Sequence, residues 1–212
     1  MRKLILRGLL YDLLIETFLK RIKERIARFV SQYDLSPALD ICCGTGKQCH
    51  FIGNIGQTAI GLDIDPKMIE YAASKYPHLS FICADAGRIP FQKKSLNGVI
   101  ISYAIHDKPP EMRTRMLAEA KKLLVPGGLI ILVDFEIPWN GLSRLGGFFT
   151  WIIERLAGGE HYKNRQQFIR KGGLKEFVEQ NDLVEVERRN IELAASSIVV
   201  AQFTDEHLNQ TR

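Results

Sequence analysis

An alternation of short apolar runs and helical stretches, starting at Pro37, is the feature that most constrains the fold of this chain. Five runs are rich in β-branched or other apolar residues: Ala38–Cys42, Thr58–Leu62, Leu79–Cys83, Gly98–Tyr103 and Leu129–Phe135. Stretches of helical period, such as Pro66–Lys75 and Glu111–Leu124, separate them. Strands that are apolar along their whole length and spaced by helices are typical of a parallel sheet covered on both faces.

Two further strand-like runs, Leu183–Ile191 and Ser197–Phe203, follow a helical stretch from Asn164 to Gln180. Because the connection between the two runs is short, we expect them to pair antiparallel at one edge of the sheet. The sequence therefore predicts an α/β fold. It is a doubly wound, Rossmann-like, mostly parallel seven-stranded sheet with helices on both faces and an antiparallel strand at the C-terminal edge.

The first 30 residues are helical in pattern and basic. Apolar residues recur every three or four positions from Leu6 to Val30, which predicts one long helix or two helices broken near Gly8. The segment holds eight of the 29 Lys and Arg residues and three of the 24 Asp and Glu residues, so it carries the whole net charge of +5. Because the basic surface is confined to the first helix and does not cover the rest of the chain, nucleic acid is not an expected partner. Weak contact of this helix with an anionic membrane surface stays open.

The sequence argues against a signal peptide, a membrane-spanning segment and a disulfide framework. Arg7 and Asp12 interrupt the apolar start before it reaches the length of a signal peptide, and no run approaches the roughly 20 apolar residues that span a bilayer. Three of the four cysteines crowd between Cys42 and Cys49, which favours reduced thiols over a disulfide framework. We therefore expect a cytoplasmic protein.

The strongest local motif is ALDICCGTGKQC, residues 38–49. An apolar strand ends there in a turn through Gly44 and Gly46, where the backbone can approach a ligand closely, and a helix follows with its amide groups directed at that ligand. The same geometry serves nicotinamide-dependent oxidoreductases, but their fingerprint has a third glycine where this chain has Cys49. The motif therefore predicts a ligand site at this turn.

Acidic residues are predicted at the ends of three successive strands: Asp40, Asp63 and Asp85. Asp63 lies 19 residues after Gly44, where a carboxylate can accept hydrogen bonds from both hydroxyls of a ribose. A carboxylate at Asp85 can accept a hydrogen bond from an adenine amino group. The three positions together suit an aminoacyl group, a ribose and a base.

These segments resemble the class I S-adenosylmethionine-dependent methyltransferases, in their small-molecule branch. The resemblance extends from about Tyr11 to Phe135 and includes LNGVIISYAIHD and MLAEAKKLLVPGGLIILVDF, in which Pro126-Gly127-Gly128 leads into the fifth strand. Cys42 stands where the family most often has the first glycine of its loop, a variant familiar from quinone-ring methyltransferases. The Gly-Leu-Arg-Asn-type run of that subfamily is absent after the fourth strand, so the substrate does not follow from the resemblance.

The resemblance also implies cofactor contacts at matching positions. On the methionine side, Gly44 and Gly46 would form the floor, Cys42 would complete the loop, Asp40 would lie near the amino group, and Tyr103 would face the sulfonium.

On the adenosine side, Asp63 would hold the ribose and Ile64 would flank the adenine ring. Asp85, with Ala86, would read the amino edge of the base. S-adenosylmethionine is then the expected cofactor and S-adenosylhomocysteine its product.

One domain is expected to span residues 1–212. Its predicted parts are an N-terminal helical cap (1–35), a cofactor-binding core (36–136), a lid-like insertion (137–163) and a C-terminal helix with strands (164–212). The insertion is predicted because Ile137–Tyr162 holds both tryptophans and breaks the alternation. Together with the N-terminal helix, it is expected to line an apolar acceptor pocket.

A general base is needed only if the acceptor must lose a proton. His106 is the candidate, with His161 and Tyr162 as weaker ones; alternatively His106 packs locally while Asp107 caps the helix near Pro109 or Pro110. Asp65, which precedes Pro66, is expected to cap the N-terminus of the helix that follows the second strand. The cysteines lack paired metal-ligand spacing, so no metal site is expected.

The favoured hypothesis is an enzyme that transfers a methyl group from S-adenosylmethionine to a small apolar organic acceptor. The alternatives are a nicotinamide-dependent oxidoreductase and a non-catalytic S-adenosylmethionine-binding module that docks on a membrane or RNA.

Overall fold

The computed structural model describes residues 19–157 and 159–204 of the chain, and seven strands in one sheet organise them. The strands are β1 (Ala38–Ile41), β2 (Ala59–Asp63), β3 (Ser80–Cys83), β4 (Leu96–Ser102), β5 (Leu124–Phe135), β6 (Leu183–Ile191) and β7 (Ser196–Phe203). Their order across the sheet is β3-β2-β1-β4-β5-β7-β6. The order reverses between β1 and β4, and open α/β sheets bind ligands at such a reversal, beyond the carboxyl ends of the strands.

Strands β1 to β5 are mutually parallel, and the C-terminal pair is antiparallel, as predicted. β7 lies between β5 and β6 and runs antiparallel to both; Phe135 of β5 pairs with Ser196 of β7. The parallel register aligns Ile41 with Leu62 on one side and with Ile101 on the other. The carboxyl ends of β1, β2 and β4 therefore meet at one edge of the sheet.

Helices cover both faces of the sheet. They are α1 (residues 19–32), α2 (Lys47–Gly53), α3 (Pro66–Lys75), α4 (Pro110–Leu123), α5 (Gly141–Ala157), α6 (Gly159–Arg170) and α7 (Gly173–Glu179), with a 3₁₀ turn, η1 (Glu192–Ala194), before β7. In the part of the chain that the structure describes, none of these helices has the length and hydropathy needed to cross a membrane.

The core has two layers because neighbouring residues of each buried strand face opposite sides of the sheet. In β5, Ile130 and Leu132 pack in the layer that α4, α6 and α7 cover. Ile131 and Val133 pack in the layer that α1 and α2 cover. A strand apolar along its whole length is thus the sequence signature of this two-sided burial.

Asp65 caps α3 as predicted, since its carboxylate accepts a hydrogen bond from the Lys67 amide at 2.9 Å. The prediction that Asp107 caps α4 is wrong. The residue at the N-cap position is Pro109, which makes no side-chain cap, and the Asp107 carboxylate instead pairs with Lys108.

The helical stretch predicted from Asn164 to Gln180 is two helices rather than one. Gly172 has φ 108° and Gly173 has φ 68°, backbone conformations that end α6 and redirect the chain into α7. Of the N-terminal helix predicted from Leu6 to Val30, residues 6–18 lie outside the described residues.

The predicted insertion folds as α5 and the start of α6. The Asn140 side chain donates a hydrogen bond to Glu192 of η1 at 3.0 Å, which ties the beginning of α5 to the β6–β7 connection. The boundary predicted after residue 163 falls inside α6, so the insertion and the C-terminal part share one helix.

Candidate functional site

A crevice of about 360 Å³ opens where β1, β2 and β4 end; we call it the carboxyl-edge crevice. Residues from the end of β2, from the segments after β1, β2, β3 and β4, and from the start of α4 line it: Cys42, Leu62, Asp63, Ile64, Asp85, Ala86, Tyr103, Ala104, Asp107, Lys108 and Met112. Six of the nine residues predicted to contact a cofactor are among them. Of the other three, Asp40 lies in β1 and Gly44 and Gly46 lie in the loop that follows it, and none of them is among the lining residues.

The loop after β1 turns through three residues with positive φ: Cys42 at 61°, Gly44 at 52° and Gly46 at 72°. A Cβ atom at Gly46 would lie 2.6 Å from the Phe81 ring, so this position has no room for a side chain. A Cβ atom at Gly44, in contrast, would have no other atom within 4 Å, so the space next to Gly44 is open. Neither glycine is among the residues that line the crevice, so their contact with a ligand stays a prediction.

Cys42 adopts a left-handed conformation that normally favours glycine. We expect Cys42→Gly to have a free energy of unfolding about 1 kcal/mol higher than Cys42→Ala, because the alanine variant keeps the left-handed strain. Urea unfolding of the two variants checks this order. If the alanine variant is the more stable, the strain at Cys42 is absent in solution.

Asp63 is held rigidly at the end of β2. One carboxylate oxygen accepts a hydrogen bond from the Gly44 amide at 2.8 Å and the other from the Asp65 amide at 3.0 Å. Each carboxylate oxygen has a second lone pair. The side chain can therefore accept two further hydrogen bonds from a ligand without moving.

Asp85, Ile64 and Ala86 also line the crevice. Asp85 lies two residues beyond the end of β3, rather than at its last residue as predicted, and its carboxylate accepts a hydrogen bond from Gly87 N at 2.8 Å. Ile64 is 66% exposed although it is apolar. An exposed aliphatic side chain between two carboxylates suits a flat base with polar edges.

Asp40 is buried beneath the β1 loop, where it accepts a hydrogen bond from the Cys49 thiol at 3.8 Å. Burial raises the pKa of Asp40 from 3.8 to about 7, against the opposing charge of Lys23 on α1. Asp40 is not among the residues that line the crevice, so its place near the methionine amino group stays a prediction.

This raised pKa makes stability depend on pH. Between about pH 4 and pH 7 the folded chain keeps the Asp40 proton while the unfolded chain releases it, so the free energy of unfolding falls as pH rises. We expect the wild type to lose about 2 kcal/mol more than Asp40→Asn between pH 5 and pH 7. Urea unfolding of both proteins at the two pH values measures this. Parallel pH dependences would contradict the buried, protonated Asp40.

Tyr103 borders the crevice, but its hydroxyl is directed elsewhere. The hydroxyl hydrogen-bonds the Ser196 hydroxyl of β7 at 2.9 Å, and the ring lies 5.5 Å from the Phe135 ring. Burial raises the pKa of Tyr103. Tyr103 is a lining residue whose hydroxyl is already engaged, and the prediction that it faces the sulfonium stays a prediction.

His106 lies in a buried network with Asp134, which sequence reasoning missed. Asp134 is fully buried; it contacts His106 Nδ1 at 2.8 Å and accepts hydrogen bonds from the amides of Ile105, His106 and Phe135. The His106 ring packs edge-on against Phe135 at 4.7 Å. His106 is not among the residues that line the carboxyl-edge crevice, so its catalytic role stays a prediction.

A polar contact between Asp107 and α6 borders the crevice. Asp107 pairs with Lys108 at 2.8 Å and with His161 Nδ1 at 3.4 Å, and its backbone carbonyl accepts a hydrogen bond from Asn164 at 2.8 Å. The segment after β4 and α6 are therefore joined at the crevice. Lys108 and Met112 are lining residues that the sequence reasoning did not select.

A second cavity, of about 440 Å³, lies beyond the end of β5; we call it the α5–α6 cavity. Residues of α5, α6 and the segments after β5 and η1 line it: Glu136, Pro138, Arg144, Gly147, Phe148, Trp151, Arg165, Ile169 and Ala195. The predicted insertion supplies five of these residues, and its role as a lid over an acceptor pocket stays a prediction. The described part of α1 supplies none of them.

The cysteines are all free thiols. Within residues 19–157 and 159–204, no three His, Cys, Asp or Glu side chains form a group that could hold a metal ion.

Comparison with known proteins identifies the family. Residues 38–128 match the model of a methyltransferase domain. An uncharacterized methyltransferase of Synechocystis is 32% identical over 104 residues, 49% of each chain. The 2-phytyl-1,4-naphthoquinone methyltransferase of Thermosynechococcus vestitus is 31% identical over 137 residues, 59% of this chain and 57% of that protein. The chain thus spans about half the length of the first curated relatives it matches.

The fold is also shared with solved structures. Magnesium protoporphyrin IX methyltransferase from Synechocystis, solved with bound S-adenosylhomocysteine, superimposes with a TM-score of 0.64 at 16% identity, covering 89% of this chain and 84% of that one. The matched domain and the relatives thus identify residues 38–128 as an S-adenosylmethionine-dependent methyltransferase domain, and the solved structure shows that the fold of the chain is shared.

Proposed function

We propose that this protein transfers a methyl group from S-adenosylmethionine, bound in the carboxyl-edge crevice, to a small apolar organic acceptor. The observation that carries the proposal is that two carboxylates, Asp63 and Asp85, and the exposed Ile64 line one crevice. These groups suit the ribose, the amino edge and the ring face of one adenosine. Ala86 would support the same edge.

The methionine part would lie over Gly44 and Gly46, where the space above the loop is open at Gly44. Cys42 and Tyr103 would border it, and Asp40 would act on its amino group from behind the wall. S-adenosylmethionine, when bound, supplies a methyl group already activated on a sulfonium. The chain's own task is then to position the acceptor and exclude water from the crevice.

The acceptor would enter from the side of the insertion, so residues 137–163 would act as a cover over the single domain. Phe148, Trp151 and Ile169 give the α5–α6 cavity an apolar side, which supports an acceptor with an apolar part. The Thermosynechococcus relative is named for a naphthoquinone, which makes an aromatic ring a natural first choice of acceptor. The free thiols favour a reducing compartment such as the cytoplasm.

His106 remains the proposed general base for acceptors that must lose a proton. Asp134 holds Nδ1 of its ring, so the proton would be accepted at Nε2. Phe135, packed against the His106 ring, would have to leave a path to the acceptor.

Isothermal titration with S-adenosylmethionine, S-adenosylhomocysteine and NADH tests the cofactor assignment. We expect both sulfur compounds to bind and NADH not to bind. A panel of phenols, hydroquinones and aromatic acids, incubated with methyl-labelled cofactor and read by mass spectrometry, then tests transfer. NADH binding without S-adenosylhomocysteine binding would reject the proposal in favour of an oxidoreductase.

A further inference from the structure

Residues 105–108, which we call the post-β4 segment, supply part of the wall of the carboxyl-edge crevice. Asp107 and Lys108 are lining residues, and the segment lies between the end of β4 at Ser102 and the start of α4 at Pro110. Within the segment, the Lys108 amide donates a hydrogen bond to the carbonyl of residue 105 at 3.2 Å. An irregular segment of this kind keeps its shape only if its other backbone groups are paired as well.

Side chains of two helices hold three consecutive carbonyls of the post-β4 segment. Arg113 of α4 donates hydrogen bonds to the carbonyls of Ile105 at 2.9 Å and His106 at 3.3 Å. Asn164 of α6 donates a hydrogen bond to the Asp107 carbonyl at 2.8 Å. The shape of this part of the crevice wall therefore depends on α4 and α6.

Arg113 also joins the two helices to each other. The same guanidinium donates a hydrogen bond to the Asn164 carbonyl at 2.9 Å, and it lies 5.0 Å from the centre of the Phe168 ring of α6. His161, one turn before Asn164 on α6, contacts the Asp107 carboxylate at 3.4 Å. A displacement of α6 would therefore displace Asp107 through both its backbone and its side chain.

The same helix borders the second cavity. Arg165 and Ile169 of α6 line the α5–α6 cavity, and Asn164, next to Arg165 in the chain, holds the wall of the carboxyl-edge crevice. One rigid helix thus contacts both spaces. Residues that lock the groups of a site into position from outside contribute to its affinity without touching the ligand.

We propose that Asn164 is a positioning residue for the cofactor. By holding the Asp107 carbonyl, it sets the places of the Asp107 and Lys108 side chains in the crevice, and it makes the affinity for S-adenosylmethionine depend on α6. This inference rests on the proposed function, because the cofactor is the ligand whose affinity responds.

Asn164→Ala tests the inference in the full-length protein. Asn164 is a better site for the test than Arg113, because Arg113 is buried and its replacement would disturb the fold as well. We expect Asn164→Ala to weaken S-adenosylhomocysteine binding about fivefold, the effect of one lost hydrogen bond. Isothermal titration measures the change.

Asn181→Ala is the matched control. The Asn181 side chain is also partly buried and donates a hydrogen bond to the Phe177 carbonyl at 2.7 Å, but it does not line the crevice. Both substitutions remove one bond between an asparagine amide and a backbone carbonyl, and only Asn164→Ala should change the affinity. Equal effects of the two variants, or no effect of Asn164→Ala, overturn the inference.

A second background separates positioning of the wall from a general loosening of the fold. The double variant Asp107→Ala, Lys108→Ala keeps the backbone carbonyl at position 107 but lacks the side chains that Asn164 would position. Adding Asn164→Ala to this background should change S-adenosylhomocysteine affinity by less than about twofold. A further fivefold loss would mean that Asn164 acts through the fold as a whole, and the inference would be wrong.

Hydrogen exchange, read by mass spectrometry, follows the wall without a ligand. Asn164→Ala should raise the exchange rate of peptides that cover residues 104–109 about fivefold, and Asn181→Ala should leave it unchanged. Unchanged exchange in Asn164→Ala also overturns the inference.

The wild type separates the two proposals. If it binds S-adenosylhomocysteine and Asn164→Ala binds equally well, the positioning role is wrong and the methyltransferase proposal stands. If the wild type does not bind S-adenosylhomocysteine, the proposed function fails, and the positioning role for the cofactor fails with it.

Discussion

Replacing Asp63 by alanine is expected to weaken S-adenosylhomocysteine binding about a hundredfold. The carboxylate is already fixed by the amides of Gly44 and Asp65, so its remaining lone pairs are oriented before a ligand arrives. Loss of hydrogen bonds from two ribose hydroxyls to an oriented charge costs about 3 kcal/mol. Isothermal titration measures the change, and circular dichroism checks that the variant is folded.

Asp65→Asn provides the control for this prediction. Asp65 is two residues away and carries the same charge, but its side chain caps α3 and does not line the crevice. Asparagine caps helices as well as aspartate does, so both folding and affinity should be unchanged. If Asp63→Ala and Asp65→Asn lose the same affinity for S-adenosylhomocysteine, then the net charge at the end of β2, rather than contact with the ribose, governs binding.

Much of the fold could be predicted because strand burial on both faces leaves a direct trace in the sequence. The bounds predicted for α3, Pro66–Lys75, and β6, Leu183–Ile191, are those of the structure. Likewise, the carboxyl ends of parallel strands lie along the same side of a sheet. Asp63 and Asp85 could therefore be placed together from the order of their strands alone. These features depend on local pattern and on sheet geometry.

The parts that could not be predicted depend on contacts between distant segments. Asp134 lies in the apolar run of β5, and its one sequence signal is a carboxylate where a buried strand should have none. Its partners, at positions 105 and 106, are brought close only by the pairing of β4 with β5. The break between α6 and α7, by contrast, has a local signal in the Gly172-Gly173 pair, because glycine readily takes the positive φ that ends a helix.

Asp107 shows how a local rule can predict the wrong partner. An acidic residue shortly before a proline is a common helix cap, and the same rule is correct for Asp65. At Asp107, however, Lys108 and His161 compete for the carboxylate, and His161 comes from α6, more than 50 residues later. A helix-cap prediction considers only residues that are close in sequence, so it cannot anticipate a partner such as His161 from a distant helix.

Replacing Asp134 by alanine is expected to lower the free energy of unfolding by about 4 kcal/mol, the cost of breaking a buried charged network. The substitution removes the acceptor for three backbone amides and for His106 Nδ1 at a site that excludes water. Because folded domains are stable by only about 5–15 kcal/mol, such a loss is severe. Urea unfolding, followed by circular dichroism, measures it.

Two further variants identify the source of this effect. Asp107→Ala removes a partly exposed carboxylate from the neighbouring segment and should cost less than about 1 kcal/mol, as expected for a surface ion pair. His106→Phe keeps the three amide contacts of Asp134 and should cost less than Asp134→Ala. If His106→Phe is the more damaging of the two, the histidine ring rather than the amide network stabilises the segment after β4. If Asp134→Ala is no worse than Asp107→Ala, the carboxylate is solvated, and the buried network described here does not exist in solution.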